Sequence, residues 1–349
     1  MRVAFVSLET TRHVDTPGTR RIERIARLLA KRGHEVTIFC GQWWDDYRDE
    51  YTVHGVRYRG VTYGTARSAF YTRLPALIMA YRPDVVHARV VPPRQVLAAL
   101  TGSRLARAPL VVEWYGTEDL DESERLIGTV TQRPDRIVTP SEFVRTQVRE
   151  YGATDENTVT IPESIDLSLT KTVEPVDDVD VVYAHSLDET ANLDDFLLGL
   201  AELRERDWQA TIVGDGPLRE EYEVEVEKLR IDDRVTFVGD CSRRRRVSLY
   251  RGAHAFVQTA FRVQFPTELL WALACGCVGI VEYQTESSAH ELIEYYDRSY
   301  RVTSPQQIAE AIVDAGEFEH QSSNDEWEQY DHDAVVEQYL QEYHALQVE

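Results

Sequence analysis

Apolar residues along this chain fall into short unbroken runs separated by longer stretches in which they recur every three to four positions. The run "RVAFVSLE" at 2–9 is rich in β-branched residues. It is followed by a loop with Pro17-Gly18 and then by "RRIERIARLLAKRGHEVTIFC", where Ile22, Ile25, Leu28 and Leu29 keep helical spacing, Gly33 stops the helix and a new apolar run begins. This predicts a strand–helix–strand unit. Further strands are expected at "GVRYRGV", "DVVHARV", "PLVVEWYG" and "DRIVTPS", with helical "SAFYTRLPALIMAYRP" between the first two. A second series follows the acidic, proline-containing "KTVEPVDDVD". Strands at "VDVVYAHS", "WQATIVGDGP", "RVTFVGD", "AHAFVQT" and "VGIVEYQ" alternate there with helices at "LDDFLLGLAELRER", "LREEYEVEVEKLR", "RRRRVSLYRG" and "PTELLWALAC". Alternation of continuous apolar strands with helices argues for parallel sheets covered on both faces. The final "DAVVEQYLQEYHALQ" is an amphipathic helix with no strand after it.

The 349 residues fit two domains, divided by a linker near 167–178. No apolar run is long enough for a membrane span, and the polar start gives no signal peptide, so a cytoplasmic protein is expected. Cys40, Cys241, Cys275 and Cys277 lack metal-ligand spacing and read as buried free thiols. The net charge of −22 excludes nucleic acid as a natural partner. Lys31, Lys171 and Lys228 are the only lysines. An acidic, lysine-poor surface of this kind needs screening, which points to a salty cytoplasm such as that of a haloarchaeon. The charge is unequally divided: residues 1–166 carry 23 Lys+Arg against 22 Asp+Glu, and the remainder carries 15 against 38. A face that meets an anionic membrane therefore belongs to the first half, where the basic first helix and the aromatic-basic stretch at 67–82 lie.

The pieces in order resemble the family-4 glycosyltransferases, nucleotide-sugar enzymes of the GT-B fold. "AFVSLE", "LLAKRGHEVTIF" and "RPDVVHAR" are similar to that family's N-terminal domain, and "VTPSEFVRTQV" and "VTIPESIDL" to its approach to the linker. "IVGDGPLREEYE", "VTFVGD" and "LLWALACGCVGIVEY" are similar to its C-terminal domain. The resemblance implies two Rossmann-like doubly wound domains facing each other across a cleft. Residues 1–170 would form the acceptor-side domain and 171–332 the nucleotide-sugar domain, with a helix at 333–349 packing back on the first. It also implies transfer of a sugar from a nucleotide-sugar donor to a glycan or lipid-linked acceptor hydroxyl with retention, without a metal or other cofactor.

Several positions depart from the family's pattern. In "FRVQFPTELLWALACGC", Phe265-Pro266 fixes a register in which Val263 and Trp271 stand where the family carries two glutamates. Neither side chain accepts hydrogen bonds from hydroxyls as a carboxylate does. Ala184-His185 stands where a donor-diphosphate arginine is expected, the following lysine is absent, and Tyr115-Gly116 replaces a His-Gly pair. Substitutes are at hand. Glu268 is a displaced acid one turn before Trp271, and Tyr115 keeps a hydroxyl for the reaction centre. Donor binding falls to Gly18 in the loop after the first strand, to His185, Arg262 and Trp271, to the helix start Ser287-Ser288, and to Glu291 in its first turn. The arginines 243–246 offer phosphate neutralisation or a solvated face, and His87 reads as structural. The rival is a catalytically degenerate protein of the same fold that binds a glycan, a nucleotide sugar or a partner enzyme. A sugar-phosphate epimerase is a weaker third reading.

Overall fold

The computed structural model describes residues 1–117, 123–177 and 179–348. The chain forms two compact units, Met1–Glu163 with His332–Glu349 and Ser164–Asp331. Asp178, within the stretch expected to be a linker, lies outside the described residues; the part at Ser168–Thr172 is helical.

The first unit runs β1 (Arg2–Val6), α1 (Pro17–Lys31), β2 (Glu35–Gln42), β3 (Glu50–Val53), β4 (Val56–Tyr63), α2 (Arg67–Tyr81), β5 (Val85–Arg89), α3 (Pro93–Ala106), β6 (Leu110–Glu113), α4 (Glu124–Gln132), β7 (Arg136–Thr139), α5 (Glu142–Glu150) and β8 (Thr158–Thr160). Its sheet has the order β3-β4-β2-β1-β5-β6-β7-β8 and is parallel except for β3, which pairs antiparallel with β4 at the edge. β3 has no counterpart in the sequence expectation. Its turn at His54-Gly55 places two successive residues at positive φ, 51° and 81°, the geometry of a tight hairpin. α1 starts at a capping box in which Thr16 and Thr19 exchange hydrogen bonds, with Pro17 in its first turn.

The second unit continues with α6 (Ser168–Thr172), β9 (Val181–Ala184), α7 (Leu193–Glu202), β10 (Ala210–Val213), α8 (Arg219–Leu229), β11 (Val235–Gly239), α9 (Arg243–Gly252), β12 (Ala255–Gln258), β13 (Arg262–Val263), α10 (Thr267–Ala274), β14 (Val278–Glu282), β15 (Glu286–Ser287), α11 (Ala289–Ile293), β16 (Ser299–Val302), α12 (Pro305–Ala315) and a 3₁₀ segment, Asp325–Tyr330. Six strands form a parallel sheet, β11-β10-β9-β12-β14-β16, and β13 and β15 pair separately. In both units the sheet is buried on each face between two apolar clusters. That double burial is why the strands read as continuous apolar runs rather than as alternating ones.

The last helix, α13 (His332–Val348), belongs to the first unit, where Val335, Val336, Tyr339, Leu340 and Tyr343 pack with Phe5, Ile22 and Ile25. Its attachment is polar as well as apolar. Arg21, whose side chain is 2% exposed, donates from Nε to Glu113 Oε1 at 2.6 Å and from Nη2 to the Ile161 carbonyl at 2.6 Å and Tyr339 Oη at 2.7 Å. Tyr339 donates to Glu113 Oε2 at 3.0 Å, and His87 lies between Glu113 Oε2 at 3.1 Å and Tyr343 Oη at 2.5 Å. Glu163 sits 3.5 Å from Arg21 and also pairs with Arg24. Burial pushes the Glu113 carboxyl up, but Arg21 and His87 outweigh it and hold it below the usual carboxylate range. The structural reading of His87 is what the geometry gives.

Removing one member of such a pair strands a buried charge. Arg21→Met is expected to lower unfolding stability by about 3–5 kcal/mol. The double variant Arg21→Met/Glu113→Gln should lose clearly less than the sum of the two single variants, as read from denaturant titrations at fixed salt.

Candidate functional site

The parallel strands of the second unit send all their carboxyl ends to one edge, where an open α/β sheet binds its ligands. There the turn after β9 lies across the turn after β10. His185 N donates to the Val213 carbonyl at 3.1 Å, Leu187 N to the Asp215 carbonyl at 3.0 Å and Leu218 N to the Leu187 carbonyl at 3.0 Å. Gly214 permits this crossing. Its φ is +128°, and a Cβ on it would fall 1.9 Å from the His185 carbonyl oxygen. His185 is thereby held half-buried at the strand edge, with Nδ1 2.9 Å from the Ser186 carbonyl.

The loop after β12 is fixed by a two-residue parallel ladder in which Arg262 and Val263 pair with Glu286 and Ser287. This ladder brings Arg262, Ser287 and Ser288 together. The Arg262 side chain is paired with Glu286 at 2.5 Å on the surface. Val263, at the first replaced glutamate position, is 8% exposed. The amides expected to cradle phosphate already have acceptors: Ser287 N the Gln284 carbonyl at 3.2 Å, Ser288 N the Val263 carbonyl at 2.8 Å, and Ala289 N Ser287 Oγ at 3.3 Å. Glu291 lies in the first turn of α11, its own amide bonded to the Ser288 carbonyl at 3.0 Å.

Glu268 and Trp271 form a different cluster, which joins α9 to α10. Arg243 clasps Glu268 through two hydrogen bonds of 2.7 and 2.9 Å, Arg246 reaches Oε1 at 3.0 Å, and Tyr250 donates its hydroxyl to Oε2 at 2.6 Å. Burial pushes the Glu268 carboxyl up, yet the two arginines and Tyr250 together hold it below the usual range. Trp271 is 5% exposed in the apolar core, with the Arg243 guanidinium 5.1 Å from its ring centre. The arginine run thus divides. Residues 243 and 246 turn in to the acid, and 244 and 245 face solvent.

In the first unit, Tyr115 follows β6 and is 6% exposed, beside Gly116 at φ +100°. The structure corrects one expectation: Gly18 lies not in a loop but in the first turn of α1, buried, because the Thr16 cap and Pro17 start the helix ahead of it.

One cluster at the strand edge of the second unit has no motif in the sequence. Asn192, in the left-handed conformation before α7, donates from Nδ2 to Glu282 Oε2 at 3.0 Å, Asp195 Oδ2 at 3.2 Å and the Thr259 carbonyl at 3.3 Å. Burial, reinforced by the charge and hydrogen bonding of Asp195, pushes Glu282 up to about 7. The only sequence signal is an Asn before a first helical turn holding two acids. The folded-state carboxyl titrates above its ordinary value of 4.5, so its contribution favours folding most below that value and is lost as pH rises towards 7. Between about pH 5 and 8, wild-type stability should therefore fall by an amount on the order of 1 kcal/mol that Glu282→Gln does not lose. Parallel thermal melts across that range check this.

Among the described residues no group of three or more His, Cys, Asp or Glu could hold a metal ion. No described helix is long and apolar enough to cross a membrane. A search of curated proteins by sequence finds no match. Solved structures superpose over nearly the whole chain. A glycosyltransferase from Rickettsia africae ESF-5 gives a TM-score of 0.79 at 13% identity, covering 99% of this chain and 98% of that one. Anabaena Alr3699/HepE in complex with UDP gives 0.76 at 14% identity, covering 99% and 100%. The lipopolysaccharide outer core galactosyltransferase WaaB in its apo form gives 0.75 at 18% identity, covering 99% of each. At these identities the likeness carries the fold, which is GT-B with two Rossmann-like domains. Residues 18–169 match Glycosyltransferase Family 4, and residues 165–330 match Glycosyl transferases group 1. With both halves matched in succession on a GT-B fold, the chain is a GT-B glycosyltransferase made of a Family 4 domain and a group 1 domain.

Proposed function

We propose that this glycosyltransferase takes a sugar from a nucleotide-sugar donor held at the strand edge of the second unit and transfers it, with retention, to a hydroxyl of a glycan or lipid-linked acceptor held by the first. The observation that carries the reading is the match of the second half to the group 1 glycosyltransferases, with the crossed turns at His185 and Gly214 at its strand edge. UDP in the Anabaena complex supports a nucleotide donor, and the likeness to WaaB, a lipopolysaccharide outer core galactosyltransferase, supports a lipid-linked acceptor. In this proposal His185, Arg262 and Glu291 face the donor, and the turn Ser287-Ser288, whose amides are bonded within their own loop, positions Arg262 and Glu291. A dianionic diphosphate draws Arg262 from Glu286. Opening that exposed pair removes little stability, because surface ion pairs are weak.

Tyr115, with Gly18 at the first turn of α1, is proposed on the acceptor side, its hydroxyl orienting the nucleophile. The donor phosphate takes the acceptor proton, so positioning rather than a dedicated base supplies the rate. Glu268 is proposed as a positioning residue that fixes Arg243 and the start of α10, with Trp271 packed behind it. No metal or other cofactor is required. The protein is proposed to work in a salt-rich cytoplasm, at the membrane's inner face. The exposed arginines Arg82, Arg104, Arg107 and Arg133, beside exposed Met79 and Leu105, support contact with anionic lipid.

In molar KCl, titration with UDP-, GDP- and ADP-sugars should give saturable binding heat for one of them and acceptor-dependent nucleotide release. His185→Ala and Arg262→Ala should each weaken that binding about tenfold, the loss of about 1.4 kcal/mol that one charge-assisted contact supplies. Tyr115→Phe should lower release while leaving donor binding unchanged. Failure of every donor to bind folded protein would contradict the reading and leave the non-catalytic alternative.

A further inference from the structure

Among the described residues Arg12 and Arg27 have no carboxylate within 4.0 Å, although the chain has 60 acids to 38 bases and the arginines around them are paired: Arg20 with Asp15, Arg21 with Glu113, Arg24 with Glu163 and Arg32 with Glu337. Both line a cavity of about 320 Å³ between α1, the loop after β1 and the β3–β4 hairpin. The two acids in that cavity, Asp15 and Glu23, are already committed: Asp15 to Arg20, at 2.6 and 2.9 Å, and Glu23 to Thr11. Glu23 accepts from Thr11 N at 2.8 Å and from Thr11 Oγ1 at 2.9 and 3.0 Å. Arg12 is held by an aromatic face instead of an acid, its guanidinium 5.4 Å from the Trp43 ring centre. A cation held in that way keeps its N–H donors for an anion. Trp43 is in turn braced edge to face by Trp44 at 5.3 Å, Tyr51 at 5.1 Å and Tyr58 at 5.9 Å. Tyr51 comes from β3, which the sequence pattern did not disclose, and Tyr58 from β4.

We propose that this cavity is a subsite for one anionic sugar ring of the acceptor glycan, with a carboxylate bound by Arg12 and Arg27 and the ring's apolar face against Trp43 and Tyr58. The volume lies at the lower end of the ~300–1,000 Å³ of small-molecule pockets, which suits a single ring. Fixed aromatic walls supply contact area with little entropy to lose, and two guanidinium groups with no carboxylate partner, Arg27 bonded through Nε to the Glu23 carbonyl at 3.3 Å, select the charge. The inference rests on the transferase reading for the origin of the sugar, but not for its binding.

The test is a tryptophan-fluorescence titration of the full chain with methyl glucuronide, methyl glucoside and inorganic sulfate. Wild type, Arg12→Ala, Arg27→Ala and Arg145→Ala are compared, the last changing charge equally on α5. Saturable binding of the glucuronide, at least tenfold weaker for the glucoside and in the Arg12 and Arg27 variants and unchanged in Arg145→Ala, supports the subsite. Sulfate binding as tight as the glucuronide's, equal binding of the glucoside, or no saturable glucuronide binding to protein with native circular dichroism overturns it. Donor titration of the same samples separates the two readings: retained donor binding with no glucuronide binding removes the subsite alone.

Discussion

The first unit depends on one arginine that water does not reach. Isolated in an apolar interior, the Arg21 guanidinium would cost several kcal/mol to desolvate. It is tolerated because Glu113, Glu163, Tyr339 and the Ile161 carbonyl surround it. These partners come from a strand end, from the segment after β8 and from the last helix. The charge is satisfied only when α1, β6 and α13 are all in place. Apolar packing alone would hold α13 against the sheet without fixing its rotation or register. The hydrogen bonds to Tyr339 and Tyr343 specify both, and they make the chain's final residues a component of its first domain.

The second unit uses the same device for a different end. Glu268, between Arg243, Arg246 and Tyr250, ties α9 to α10 from the inside, beneath Trp271. The acid and its two arginines are bonded to one another within the scaffold. The strand edge keeps what backbone geometry supplies: the crossed turns of His185 and Gly214, the β13–β15 ladder, and Glu282, which burial and Asp195 push up to about 7. On the proposed reading a donor bound there would meet a histidine and an arginine rather than carboxylates placed for its hydroxyls. Sugar selectivity would then be set by shape and by the few polar groups along the edge.

Strand and helix order was legible because double burial makes parallel strands uniformly apolar, and "RVAFV", "VVHAR" and "AFVQ" are short for helices. β3 was not, since "EYTV" is an exposed edge with no apolar run to mark it. The replacements at Val263 and Trp271 were legible as sequence, and their burial follows from their apolar character. The engagement of Glu268 was not legible: the run of four arginines reads as a solvated face until the helix turn brings positions 243 and 246 onto the inner side. Nor could a sequence show that the Ser287 and Ser288 amides are spent on their own loop, because backbone pairing leaves no trace in residue type.

On the proposed reading, the strand edge of the second unit binds a nucleotide sugar without the two acids. Hydrogen–deuterium exchange in molar KCl, with and without the tightest-binding donor, should then show slowed exchange confined to residues 185–187, 214–218 and 286–291. Unchanged exchange at all three segments under saturating donor, or protection confined to the first unit, would contradict it.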